Sequence, residues 1–215
     1  MAQTADEQLH KDWANLKRYE SANNNLPDPS PGVHRVVYMG DSITDLWFFS
    51  DSLFFKSNNY VGRGIGGQTT GQMLLRFRED VINLKPTAVV ILGGINDIAE
   101  NNGPTKTEDI MGNIVSMAEL AETNHIKVIL CSILPAYHFF WRPSINPVPK
   151  VLAINAMIKT YAKKHHLAYL DYYSSMVDNR GGLPECLAKD GVHPTLNGYK
   201  LMEPLASFAV TEALK

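Results

Sequence analysis

Ser42, Asp190 and His193 have the side chains that a base-activated nucleophile requires. Ser42 lies just after the apolar run 36–39, and Asp190 and His193 are three residues apart near the other end of the chain. A serine hydroxyl is a poor nucleophile at its own pKa, so it needs a base to take its proton and a further group to orient that base. The order Ser, Asp, His supplies all three groups and suggests nucleophilic catalysis.

The Asp190–His193 pair also has other interpretations. A carboxylate that accepts the Nδ1–H of His193 would leave Nε2 free to take a serine proton. Such a pair also arises by chance, and it could bind a metal ion. No further His/Asp cluster at ligand spacing accompanies it, so we expect neither a metal nor a cofactor.

The segment around Ser42 predicts a helix that begins at the serine. Gly40 permits an uncommon backbone turn after the apolar run. The hydroxyl would then lie near the helix N-terminus, where free N–H groups and the helix dipole favour a developing negative charge. Taken alone, Asp41 and Ser42 indicate only a helix cap, because both are common N-cap residues.

A glycine-rich segment, 62–67, matches the pattern GxGxxG. The dinucleotide fingerprint requires an acidic residue at the end of the next strand, about 20 residues on. The next strand here ends at Leu92 without one, so nucleotide binding is disfavoured. The alternatives are a backbone N–H of Gly67 directed into a cleft and a plain flexible turn.

Two further segments contribute candidate site residues. Asn96, after the apolar run 88–92, can direct its side-chain NH₂ at an oxyanion, or it can simply cap a turn. The segment 135–143 is rich in aromatic residues, which would stack on a sugar ring or an apolar group, or fold inward as a small core. We expect the substrate to be contacted by Asp41, Tyr137, Phe140, Trp141 and Arg142.

Strand-like and helix-like runs alternate after residue 33. The strand-like runs are 35–39, 60–62, 87–92, 127–133 and 168–170, and the amphipathic ones are 69–83, 107–124, 150–165 and 196–214. The third and fourth strand runs are continuously apolar, which predicts a parallel sheet between two helical layers. Such sheets bind ligands beyond the carboxyl ends of their strands. The segments after the first three strands should therefore gather at one edge.

Composition limits the class of protein. The chain has 215 residues, 45% hydrophobic and 20% charged, with a net charge of −2, which is typical of one globular domain. It has no basic block for nucleic acid and no apolar run of about 18 residues for a membrane span. We expect the two cysteines, Cys131 and Cys186, to be unpaired. The oligomeric state is not predicted.

The first 33 residues are expected to pack on the main domain, 34–215, as a helix over 5–20 and a loop rich in Asn and Pro. The helix is predicted from Leu9, Trp13, Leu16 and Tyr19, which recur at a spacing of three to four residues. The start of the sequence has neither the basic nor the apolar region of a signal peptide. It fits a cytoplasmic protein or a mature exported chain, and its polar Ala-Gln-Thr-Ala-Asp segment slightly favours export.

Four blocks, 40–42, 66–70, 94–97 and 190–194, resemble in this order the GDSL family of serine esterases and lipases, also called SGNH hydrolases. The resemblance spans about residues 34–214 and implies a flavodoxin-like α/β/α sandwich with five parallel strands. It implies that Ser42 is the nucleophile, His193 the base and Asp190 its orienting partner. The oxyanion donors would be the backbone N–H groups of Ser42 and Gly67 and the side chain of Asn96.

Two positions depart from the family pattern. Gln68 stands where many members have Asp, and Ile95 where many have Thr; neither change removes a catalytic group. The aromatic-Trp-Arg-Pro loop is similar to loops of bacterial members that resemble carbohydrate-directed esterases.

The expected activity is hydrolysis of short-acyl esters, acetyl esters on carbohydrates first, through an acyl-enzyme. Thioesters, lysophospholipids and acyl transfer are alternatives at the same site. A non-catalytic module that binds a nucleotide or a glycan is the alternative from another class of protein.

Overall fold

A parallel sheet of five strands forms the centre of the protein. The structure is a computed structural model that describes residues 12–215. The strands are β1 (Val36–Gly40), β2 (Tyr60–Gly64), β3 (Ala88–Leu92), β4 (Lys127–Cys131) and β5 (Ala168–Leu170), and they lie side by side in the order β2-β1-β3-β4-β5. Every pairing is parallel, and this is the flavodoxin-like strand order. The predicted fold class is confirmed.

Helices cover the sheet in two groups. In chain order they are α1 (Glu20–Asn24), α2 (Ser42–Ser50), α3 (Ser52–Ser57), α4 (Thr70–Asp80), α5 (Ile95–Ile98), α6 (Thr107–Thr123), α7 (Val148–Lys164), α8 (Tyr172–Met176) and α9 (Leu196–Leu214), with 3₁₀ helices at Leu16–Arg18 and Ile82–Leu84. Helices α2 and α9 pack on each other and on the sheet, while α6 packs between α4 and α7. All residues of β1 and β3 are buried, which explains why these strands are continuously apolar.

Two glycines, Gly40 at the end of β1 and Gly64 at the end of β2, allow α2 to pack closely against the sheet. A Cβ at Gly64 would lie 2.1 Å from the backbone nitrogen of Asp45, and one at Gly40 would lie 2.1 Å from Oγ1 of Thr44. Neither position can therefore carry a side chain without moving α2. Gly62 and Gly64 lie within β2 rather than in a turn after it, so these two glycines of the GxGxxG pattern serve strand and helix packing.

The N-terminal segment differs from its prediction. Part of the predicted helix 5–20 lies outside the described residues, and residues 12–19 form a turn followed by a 3₁₀ helix. The carboxylate of Asp12 accepts hydrogen bonds from the N–H groups of Leu16 and Lys17, and Asn15 adopts a left-handed φ of 54°. These local bonds compete with an α-helix. Trp13 and Leu16 are about half exposed, so their spacing did not mark a buried helical face.

The segment is nevertheless attached to the domain near the predicted site. The side-chain NH₂ groups of Gln68 and Gln72 donate to the carbonyl oxygens of Ala14 and Trp13, each at 2.7 Å. The hydroxyl of Tyr19 donates to the carbonyl of Gly64.

Both cysteines are free, Cys131 buried and Cys186 exposed, which confirms the expectation that they are unpaired. Within residues 12–215, none of the helices combines the length and apolar character that spanning a membrane requires.

Candidate active site

Ser42 and His193 meet at the carboxyl edge of the sheet. Ser42 is the first residue of α2, directly beyond the end of β1. Its Oγ lies 2.9 Å from Nε2 of His193, and Nδ1 of His193 lies 2.7 Å from Oδ2 of Asp190. A carboxylate accepts hydrogen bonds only, so Nδ1 carries a proton, and in the neutral imidazole Nε2 is then the acceptor that faces the hydroxyl. This chain of contacts can withdraw the serine proton as the oxygen attacks an electrophile.

A tight turn orients Asp190. Its Oδ1 accepts hydrogen bonds from the N–H groups of Val192, at 2.9 Å, and His193, at 2.8 Å. Gly191, which follows Asp190, has a φ of +80° that favours glycine. Partial burial raises the pKa of Asp190, but the hydrogen bonds from His193 and Val192 outweigh this effect and hold the pKa below its ordinary value. The carboxylate therefore stays ionised beside the imidazole.

The start of α9 is anchored to the start of α2. The hydroxyl of Tyr199 donates to the carbonyl of Ile43 at 2.9 Å in the buried interior. Its ring stacks on Trp47, with centroids 5.4 Å apart. Because His193 lies just before α9 and Ser42 begins α2, these contacts set the separation of imidazole and hydroxyl.

The backbone N–H groups of Ser42 and Gly67 are candidate donors to a ligand. The N–H of Ser42 lies in the first turn of α2, where no intrahelical acceptor exists. Gly67 is exposed and has a φ of +76°. Within the described part of the chain, neither N–H donates to a protein acceptor. Free N–H groups of this kind can bind an oxyanion.

Asn96 is a third candidate donor, at the carboxyl edge of the sheet. It lies in the four-residue helix α5, directly beyond β3, and is 5% exposed. Its Nδ2 donates to the carbonyl of Gln68 at 3.0 Å, and its Oδ1 accepts from Nδ2 of Asn101 at 2.8 Å. An amide nitrogen has two N–H bonds, so one remains for a ligand.

A buried arginine, which the sequence analysis missed, holds the loop that carries Gly67. The guanidinium of Arg76 is fully buried and donates to the carbonyl of Gly40 at 2.8 Å and to Oε1 of Gln68 at 2.5 Å. Asp80, one turn along α4, accepts from it at 2.8 Å. The sequence contained one signal for this buried pair. Arg76 and Asp80 are four residues apart and lie among the apolar positions of an amphipathic helix.

Asp97 attaches the start of α4 to α5. Its two carboxylate oxygens accept from the N–H of Thr70, at 2.9 Å, and from its hydroxyl, at 2.7 Å. Burial raises the pKa of Asp97 despite these bonds.

The aromatic loop is divided between core and site. Phe139 is fully buried, whereas Phe140 and Arg142 are exposed. The indole of Trp141 stacks near the ring of His193, with centroids 6.4 Å apart and planes at 29°. Tyr137 lies beneath the guanidinium of Arg180, 4.4 Å from ring centroid to Cζ. Of the residues expected to contact substrate, Trp141 thus lies next to His193.

Asp41 differs from the expectation of a substrate contact. Its side chain is 1% exposed, and Oδ1 accepts from the N–H of Ile43 at 2.9 Å. Oδ2 is buried with no hydrogen-bond partner among the described residues. The alternative interpretation, a helix cap, describes Asp41, because a side chain enclosed in this way is inaccessible to a substrate.

Within residues 12–215, there is no group of three or more His, Cys, Asp or Glu side chains that could hold a metal ion.

The chain belongs to the GDSL-like lipase/acylhydrolase family, whose model matches residues 38–201, and it is an ester hydrolase of that family. It is similar to the crystal structure of a proposed acylhydrolase from Bacteroides fragilis, with 53% identity and a TM-score of 0.93 over 95% of this chain and 100% of that one. A GDSL-like lipase from Bacteroides thetaiotaomicron is 49% identical, with a TM-score of 0.91 over 93% and 98% of the two chains.

A curated relative is also similar. The lipoprotein YqeF of Bacillus subtilis is 32% identical over 159 residues. The match covers 65% of this chain and 65% of the relative, just under two thirds of its length.

Asp41 predicts a pH dependence of stability. Burial raises its pKa from 3.8 to about 7. Between these values the folded protein keeps a proton that the unfolded chain has released, so the free energy of unfolding falls as pH rises through this window. We expect Asp41 to contribute a decrease of about 2–3 kcal/mol between pH 5 and pH 8.

Chemical denaturation of wild type and Asp41→Asn at both pH values measures this contribution. The substituted asparagine can still cap α2 but cannot titrate, so the variant should lose less stability over the interval than wild type. Asp109→Asn, which changes an exposed carboxyl on α6, is the matched control. Equal pH dependence in wild type and Asp41→Asn would contradict the prediction.

Proposed function

We propose that the protein hydrolyses short-acyl esters through an acyl-enzyme formed on Ser42. The observation that carries this proposal is the continuous contact from Ser42 Oγ to His193 and on to Asp190, at 2.9 and 2.7 Å. His193 takes the hydroxyl proton at Nε2 while Oγ bonds to the ester carbonyl carbon. The carbonyl electrons move to oxygen, and the imidazolium is stabilised by the ionised Asp190.

The oxyanion is bound by the N–H groups of Ser42 and Gly67 and by the Nδ2–H of Asn96. As the carbonyl re-forms, the bond to the alcohol breaks and His193 returns its proton to the leaving oxygen. Water then attacks the acyl-enzyme with His193 again as base, and the carboxylic acid leaves as Oγ regains its proton. Loss of one such donor typically lowers turnover about 10²–10³-fold.

We propose acetyl esters of carbohydrates as the first substrate class. Support comes from the carboxyl edge of the sheet, where the segment after β4 presents the exposed ring of Phe140 and the indole of Trp141 beside His193. Flat aromatic surfaces of this kind suit the apolar face of a sugar, and the exposed Arg142 can donate to its hydroxyl groups.

Similarity to a lipoprotein supports a site of action outside the cytoplasm. Cell fractionation checks this location.

Ser42→Ala should abolish hydrolysis of p-nitrophenyl acetate, with kcat/KM falling at least about 10⁴-fold, because no other hydroxyl is proposed to receive the acyl group. A fluorophosphonate probe should add its mass to Ser42 of the wild type and fail to label the variant. Ser50→Ala, at the exposed end of the same helix, is the matched control and should behave as wild type.

The same experiment tests the alternative of a non-catalytic binding module, because binding alone does not activate a serine. Wild-type turnover in Ser42→Ala would contradict the proposal. An unlabelled wild type that binds a nucleotide or a glycan tightly would favour the module.

The acetyl preference predicts that kcat/KM declines as p-nitrophenyl esters lengthen from acetate to decanoate, and that acetylated saccharides release acetate. Phe140→Ala should raise KM for an acetylated saccharide more than KM for p-nitrophenyl acetate, because the small ester lacks a sugar ring to stack. Highest kcat/KM for decanoate, a thioester or a lysophospholipid would instead assign one of the alternative substrate classes.

A further inference from the structure

A directional chain of hydrogen bonds connects the aromatic loop to the oxyanion donors. The indole Nε1–H of Trp141 donates to Oδ1 of Asn101 at 3.3 Å. Nδ2 of Asn101 donates to Oδ1 of Asn96 at 2.8 Å, and Nδ2 of Asn96 donates to the carbonyl of Gln68 at 3.0 Å. This series of hydrogen bonds therefore ends at Gln68, the residue after Gly67. The backbone N–H of Gly67 is another of the proposed oxyanion donors.

The two ends of this chain fix the orientation of both amides within it. An indole nitrogen can only donate and a backbone carbonyl can only accept. Asn101 must therefore turn its oxygen to Trp141 and its nitrogen to Asn96. Asn96 in turn must place its oxygen toward Asn101 and its nitrogen toward Gln68. Rotating either amide by half a turn would face donor with donor or acceptor with acceptor.

Trp141 also contacts the other half of the site. The same indole stacks near His193, the proposed base. Trp141 thus stacks near the imidazole of His193, and its indole N–H donates the first hydrogen bond of the series that leads to Asn96. Asn101, which joins Trp141 to Asn96, is half-buried. Its backbone N–H donates to the backbone carbonyl of Asn96 at 3.1 Å.

We propose that Asn101 is a positioning residue for the oxyanion site. By donating to Oδ1 of Asn96, it holds the Asn96 amide with its second N–H available to the developing oxyanion. By accepting from Trp141, it couples this orientation to the loop that packs against His193. This proposal rests on the proposed function, in which Asn96 binds the oxyanion.

Asn101→Asp tests the proposal by reversing one contact. The carboxylate still accepts from Trp141, but its second oxygen lies against Oδ1 of Asn96, where two acceptors repel. This oxygen also competes with the carbonyl of Gln68 for the Nδ2–H of Asn96. We expect kcat for p-nitrophenyl acetate to fall about 10²-fold, close to the loss of an oxyanion donor, with KM within threefold of wild type. A change confined to kcat indicates an interaction made in the transition state.

A pH profile separates positioning from general damage. A protonated carboxyl at position 101 could again donate to Asn96, so the ratio of variant to wild-type kcat should rise as pH is lowered. Rates are normalised to active sites counted with the fluorophosphonate probe, which removes the effect of misfolded protein. Asn102→Asp adds the same charge at the next residue, whose exposed side chain contacts Gln72, and should change kcat less than threefold.

Two further variants keep the test decisive if Asn101→Asp folds poorly. Asn101→Ala should lower kcat at least tenfold, and Trp141→Phe, which keeps a ring but removes the N–H, should lower it by a smaller factor. Wild-type kcat in the Asn101 variants, or equal losses in Asn101→Asp and Asn102→Asp, would overturn the proposal. Ser42→Ala and Asn96→Ala distinguish this failure from failure of the proposed function, since both should remain impaired.

Discussion

The position of the first turn of α2 is the constraint on which the site depends. This turn carries Ser42, and it reaches the sheet edge only because Gly40 and Gly64 leave no Cβ in its way. On one side, Tyr199 binds the carbonyl of Ile43 and fixes the helix that follows His193. On the other side, Arg76 binds the carbonyl of Gly40 and the side chain of Gln68, so the hydroxyl and the Gly67 loop share one buried support. These contacts position the imidazole and the proposed oxyanion donors relative to Ser42.

Burying the charge of Arg76 would be costly without partners. Asp80 balances the charge, and three further acceptors use the guanidinium donors: the carbonyls of Gly40 and Arg63 and Oε1 of Gln68. Gln68 also explains one departure from the family pattern. A neutral side chain at this position accepts from Arg76 while its NH₂ group holds Ala14 of the N-terminal segment. An aspartate has no N–H to offer that segment.

The aspartates of the site differ because their surroundings differ. Asp190 is partly exposed and receives several hydrogen bonds, which favour its ionised form, so it can orient and stabilise the imidazole. Asp41 is enclosed with one partner, which favours its neutral form. The two residues have the same side chain, yet only the first is suited to balance a charge that develops on His193.

The sequence sufficed for the strands, the sheet type and the order Ser, Asp, His, because apolar runs and short motifs are local patterns. It did not show the path from Trp141 through Asn101 to Asn96, since that path joins side chains far apart in the chain. The predicted helix over 5–20 is wrong at residues 12–19, because local hydrogen bonds to Asp12 outweigh the spacing of Trp13 and Leu16. The predicted substrate contact of Asp41 is wrong, because sequence order does not reveal that this helix cap is buried.

A crystal structure of the protein after reaction with a fluorophosphonate would show whether Ser42 and the proposed oxyanion donors form one site. We expect phosphorus bonded to Oγ of Ser42. One phosphonyl oxygen should lie about 2.7–3.1 Å from the backbone nitrogens of Ser42 and Gly67 and from Nδ2 of Asn96. A phosphonyl oxygen turned away from these three nitrogens, or an adduct on a different residue, would contradict this expectation.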